Sequence, residues 1–119
     1  MSMIARKAPV ATVAASPVAS LTLHRIRRAL RERVRYRYVR PRVLQEGDAF
    51  RIQSPNCSRK VDPAGGVIDI ALLLPHAANR WCLCSRDHAG RAWVAQLQNA
   101  PLARALDLLC TDPQRQYWP

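Results

Sequence analysis

Acid is what this chain has least of among its charges: 8 Asp and Glu stand against 19 Lys and Arg in 119 residues, a formal net charge of +11. No run of about 18 or more apolar residues occurs, which excludes an ordinary transmembrane helix, and no membrane partner is expected. Glycine is sparse, at 4 residues, and no G-x4-G-K-[ST] loop exists, so nothing points to a P-loop nucleotide site; Gly65-Gly66 is a turn signal only. The four cysteines are too few for a disulfide scaffold, and reduced thiols in a cytoplasmic protein are expected. Ser85 and His88 lie close in sequence without a nucleophile elbow, so a serine hydrolase is not indicated. No cofactor is implied by any motif.

What the chain has is arginine in one place. Nine arginines, at 25, 27, 28, 31, 33, 35, 37, 40 and 42, are opposed there by Glu32 alone. The stretch carries +8 of the +11, leaving 10 basic and 7 acidic residues elsewhere. The charge is therefore a local feature, and it selects an anionic partner. The apolar fraction of 49% suffices for the modest core of one domain.

Residues 1–19 contain Arg6, Lys7 and then an Ala/Pro/Ser/Val run that superficially suggests a signal or transit peptide. Pro9 and Pro17 interrupt it, and no leucine-rich centre precedes Leu21, so a disordered tail is expected, followed by a single domain over 20–119. Ser20 or Thr22 can cap a helix running to about Val34, because Leu23, Ile26, Leu30 and Val34 form an amphipathic stripe. From Arg35 to Arg40 the pattern alternates and suggests a strand, with Tyr36 and Tyr38 on one face and Val39 with Val43 on the other. The Glu46-Gly47-Asp48 turn then leads to a strand at about 49–54 with Phe50 and Ile52 inward.

Ser54–Gly66 reads as a long loop, and Val67 to Leu74 as a central strand buried on both faces despite Asp69. Strands at Arg80–Ser85 and Ala92–Leu97 flank a loop in which Gly90 can take a positive φ, and Trp81 with Trp93 are expected as a cross-strand core pair. A last helix opens near Pro101, buries Leu102, Ala105, Leu106, Leu109 and Cys110, and ends at Asp112-Pro113. Trp118 is expected to pack the tail back on the domain. The order implies an α+β fold: an N-terminal amphipathic helix, about five mostly antiparallel strands and a short C-terminal helix.

Trp81, Leu83, Arg86, Asp87 and Trp93, the short leucine-bearing helix, Asp112-Pro113 and Tyr117-Trp118 resemble a small bacterial family of domains with no established function. The resemblance covers roughly residues 30–119. It implies one α+β domain with a C-terminal helix, and it carries over no catalytic residue.

Guanidinium groups neutralise phosphates and release counterions, so Arg25, Arg28, Arg31, Arg35 and Arg37 are candidate contacts to DNA or RNA, with Tyr36 or Tyr38 stacking on unpaired bases. An acidic protein is the alternative partner for the same surface. Cys57, Cys82, Cys84 and His88 could close a tetrahedral zinc site, but C-x-C is not the usual C-x2-C spacing, so no metal is expected. Asp62, Asp69 and Asp87 with Lys60 or His88 could suit a metal-dependent nuclease, but the close acidic-x-Lys pairing is absent after Asp69, which reads more simply as a hydrogen-bonded structural acid. The expectation is a non-enzymatic nucleic-acid-binding module.

Overall fold

The computed structural model describes residues 17–56 and 64–119, and the tail and Cys57, Lys60 and Asp62 in the long loop lie outside them. The elements are α1 (Pro17–Leu30), β1 (Arg42–Glu46), β2 (Ala49–Pro55), β3 (Val67–Ala77), β4 (Arg80–Asp87), β5 (Ala92–Ala100) and α2 (Leu102–Thr111). The strands form one antiparallel sheet in chain order, β1-β2-β3-β4-β5. Both helices share one core with that sheet, so the fold is α+β.

Ile26 and Leu30 of α1 meet Phe50, Ile52, Ile68, Leu73 and Leu83 of the sheet and Ala105, Leu106 and Leu109 of α2 in that core. Stripe spacing places them correctly, but the helix has other ends than the sequence suggests. It starts by Pro17, whose missing N–H costs nothing in a first turn. Thr22 is therefore inside the helix, where its hydroxyl donates to the Val18 carbonyl at 2.9 Å. The helix stops at Leu30, and Val34 is 61% exposed.

The Tyr-Arg alternation at 35–40 does not form a strand. Tyr36 has φ of 56° and the segment is a series of turns, with Val39 N–H donating to the Tyr36 carbonyl at 3.2 Å. A left-handed residue breaks the two-residue side-chain period, so Tyr36 and Tyr38 are not equivalent. Tyr36 packs half-buried against the core, and Tyr38 is 77% exposed. The first strand begins only at Arg42, after Pro41.

In β3 the register with β2 jumps from Ile52–Ala71 to Gln53–Asp69, which leaves Ile70 as an extra residue. This bulge lets consecutive Ile70 and Ala71 both be fully buried, so the nearly continuous apolar run does not require a sheet covered on both sides. Trp81 and Trp93 are not a pair. Trp81 lies opposite Ala100 and packs on Phe50 with ring centroids 6.0 Å apart, whereas Trp93 lies opposite Arg86, whose guanidinium sits 5.0 Å above its ring. In the β4–β5 turn the left-handed residue is Arg91, at φ 52°. Gly90 N–H donates to the Asp87 carboxylate at 3.1 Å, and a Cβ at Gly90 would come within 2.6 Å of that carboxylate and push the side chain aside.

The five apolar residues expected on α2 are all buried, and Asp112 closes the helix in the left-handed region with φ 41°. Its buried carboxylate accepts the N–H groups of Gln116, Tyr117 and Trp118, at 2.7, 3.2 and 2.9 Å, and so folds the C-terminal turn back. Trp118, 1% exposed, donates from Nε1 to the Leu109 carbonyl at 2.9 Å. Asp112→Ala removes three acceptor contacts at once and is expected to cost about 2–4 kcal/mol in denaturant unfolding, with Asp112→Asn costing less because it keeps an oxygen and tolerates a left-handed backbone.

Candidate polyanion-binding groove

The groove's shape originates where α1 ends. Glu32 and Arg33 N–H groups turn back to the Ala29 and Leu30 carbonyls at 3.0 and 3.3 Å, which tightens and closes the helix. Val34 N–H then donates to the Cys110 carbonyl at 2.9 Å, and Arg35 Nε to the Asp112 carbonyl at 3.3 Å. The C-terminal ends of both helices are thereby tied together.

Arg33 is buried, at 4% exposure. Its Nη1 donates to the Leu30 carbonyl at 2.7 Å, while Nη2 donates to the carbonyls of Tyr36 and, at 2.5 Å, Val39. The guanidinium also lies 5.0 Å from the Trp118 ring centroid. Burial pulls its pKa below the ordinary arginine value, Cys110 acts in the opposite direction, and Arg37 adds to the lowering. Three carbonyls and an aromatic face offset the desolvation of the charge. This residue pins the turns at 34–40.

Around that pin opens a groove of about 510 Å³, lined by Arg27, Arg31, Arg33, Arg37 and Arg40 together with Leu30, Val39, Pro41 and Val43. No acid lines it. Among the described residues the ion pairs involve Arg51 and Arg86, and none involves an arginine between 25 and 42. Arg27, Arg31, Arg37 and Arg40 are exposed, so their charges converge on solvent within one concavity.

The five arginines singled out in the sequence do not share this face. Arg31 and Arg37 line the groove. Arg25 and Arg28 line a second concavity, between α1 and α2, which also holds the acids Glu32 and Asp107. Arg35 is turned toward the α2 end. Arg27 and Arg40 also line the groove; helical spacing groups Arg27 with Arg31, four residues apart, and separates them from Arg25, Arg28 and Glu32. No sequence signal brings Arg40 to them; the turn held by Arg33 does. Tyr36 is engaged with the Tyr38 and Trp118 rings at 6.0 Å each, so of the two tyrosines only Tyr38 presents most of its surface to solvent.

Cys82 and Cys84 point the same way, with sulfurs 3.8 Å apart and unbridged; Cys110 is also a free thiol. Among the described residues no three His, Cys, Asp or Glu side chains gather as a metal-binding group. His88 has its pKa lowered by burial and then by Arg86, against opposing effects of Asp69 and Asp87. Asp69 accepts from Gln53 Nε2 at 3.0 Å and lies 3.7 and 3.9 Å from Arg51 and Arg86, a satisfied acid bridging neighbouring strands. No helix among the described residues is long and apolar enough to cross a membrane.

Fold and groove together define a small α+β domain, two helices on a five-stranded antiparallel sheet, with an arginine-lined concavity at the end of its first helix. The chain belongs to DUF3024, a domain of unknown function, whose family model matches residues 13–119. No curated protein and no solved structure matches it significantly.

Two outcomes follow from this geometry. Arg33→Met removes the pin but keeps a similar stem, and is expected to cost about 3 kcal/mol by denaturant unfolding, whereas Arg31→Met should stay within about 0.5 kcal/mol. Burial raises the Cys84 and Cys110 thiols to about 11, and burial and Asp112 also raise the Tyr117 phenol. A raised pKa favours the neutral thiol in the fold, so this stability is complete below the unfolded thiol value of about 8.5 and is lost as pH climbs toward 11. The melting temperature should fall across that window, and less steeply in Cys84→Ala/Cys110→Ala.

Proposed function

We propose that the protein is a non-enzymatic module that binds nucleic acid through the Arg27–Arg31–Arg37–Arg40 groove. The observation that carries this reading is the convergence of these exposed guanidinium groups on one concavity with no acid among the described residues of its lining. Charges balanced by neighbouring acids would form a solvated surface with little net field, but here the repulsion between like charges has no local compensation. A phosphate chain supplies it, and each phosphate neutralised releases counterions. Arginine suits the role because its planar fork meets phosphate oxygens in pairs and remains charged.

The reading differs from a general basic surface in which residues matter. Arg25 and Arg28 share their concavity with Glu32 and Asp107 and contribute weakly. Arg33 acts through the fold. In fluorescence anisotropy with a labelled oligonucleotide, affinity should fall with a log–log salt slope of about −3, as about four phosphate contacts require. Arg27→Glu/Arg31→Glu/Arg37→Glu/Arg40→Glu, all at exposed positions, should weaken binding at least about 100-fold, while Arg25→Glu/Arg28→Glu changes it less than about fivefold. Equal affinity of the quadruple variant and the wild type, or binding indifferent to salt, would overturn the reading. A stoichiometric acidic protein recovered in place of nucleic acid would assign the surface to a protein partner instead.

A further inference from the structure

We propose that the groove takes an unpaired nucleotide, with its phosphate on the arginines and its base against the apolar wall; this rests on the nucleic-acid reading above. The wall is formed by Leu30, Val39, Pro41 and Val43, between the helix end and the first strand. Leu30 and Val43 belong to the core or pack on it, while Val39 and Pro41 are half-exposed and open to a ligand. The combination of aliphatic side chains and guanidinium planes matches the two halves of a nucleotide, since a base gains from desolvation and from stacking on guanidinium while its phosphate requires charge.

Shape selects against duplex. Paired bases are stacked away from a concavity and offer it only a phosphate ridge, so the apolar wall would remain wet. The volume of about 510 Å³ lies within the range of small-molecule sites and admits one or two nucleotides rather than a helical groove. Arg33 holds this arrangement ready in advance, because it fixes the carbonyls of both Tyr36 and Val39.

The chemistry is shared by a single-stranded chain and a free nucleotide, and competition anisotropy separates them. The probes are a labelled single-stranded oligonucleotide, the blunt duplex of the same sequence, a nucleoside triphosphate and inorganic tripolyphosphate. At equal salt the single strand should bind at least about 10-fold more tightly than the duplex, and the nucleoside triphosphate should compete at least about 10-fold better than tripolyphosphate if the site saturates with one nucleotide. Competition by the mononucleotide assigns a free nucleotide; binding by single strands alone assigns single-stranded nucleic acid, and either upholds the proposal. Val39→Asp, on an irregular segment, should erase the preference over duplex and tripolyphosphate, and a melting curve like the wild type's shows that it has folded. Equal affinity for single strand, duplex and tripolyphosphate overturns the proposal and leaves general polyanion binding standing, whereas no binding by any probe overturns both.

Discussion

The contact of Arg33 with Trp118 is the constraint from which the rest of the arginine-bearing end of this molecule follows. A guanidinium buried to 4% exposure is costly unless its charge is met, and here Leu30, Tyr36 and Val39 offer carbonyls while the indole offers its face. Those carbonyls come from the end of a helix and from two successive turns. One side chain therefore terminates α1 and shapes the segment that leads to the sheet.

Trp118 is in turn held by Asp112, whose carboxylate gathers three backbone N–H groups of the final turn. The last residues of the chain thus set the geometry of residues 30–40, and the coupling runs through packed side chains rather than through any strand or helix shared by the two regions. The groove is consequently carried by irregular backbone, yet that backbone is anchored at both ends: Val34 and Arg35 to α2, Arg33 to the C-terminal turn. Functional surfaces on loops depend on such anchoring, because a loop without it would lose its ordering free energy on every binding event.

Regular elements with complete apolar patterns were legible in the sequence. The α2 stripe, the inward Phe50 and Ile52, and the closing role of Asp112-Pro113 all follow from local periodicity and backbone preference. Errors fall where a distant contact overrules the local pattern. Arg35–Arg40 has strand composition but lies in turns, because Tyr36 takes a left-handed backbone beneath the Arg33 guanidinium. Trp81 and Trp93 share a hairpin but not a face, since Trp93 lies opposite Arg86, an odd five residues along β4 from Trp81. The stripe through Val34 continues the helical spacing past the true end of α1, because a periodicity cannot register that the next arginine turns inward.

By itself the sequence determined that the fold has an α+β order, that its cationic charge is concentrated in eighteen residues, and that the segment begins on an amphipathic helix. These depend on composition and on the fixed periods of helix and strand. Only the tertiary structure decided which arginines share a concavity. Nine arginines within eighteen residues carry no label that separates the buried Arg33 from the exposed Arg31, or that brings Arg40 beside Arg27 and Arg31. Arg33 is singled out by Trp118, eighty-five positions beyond it in the chain, because the energy of a buried charge is fixed by what surrounds it in space and not by its neighbours in sequence.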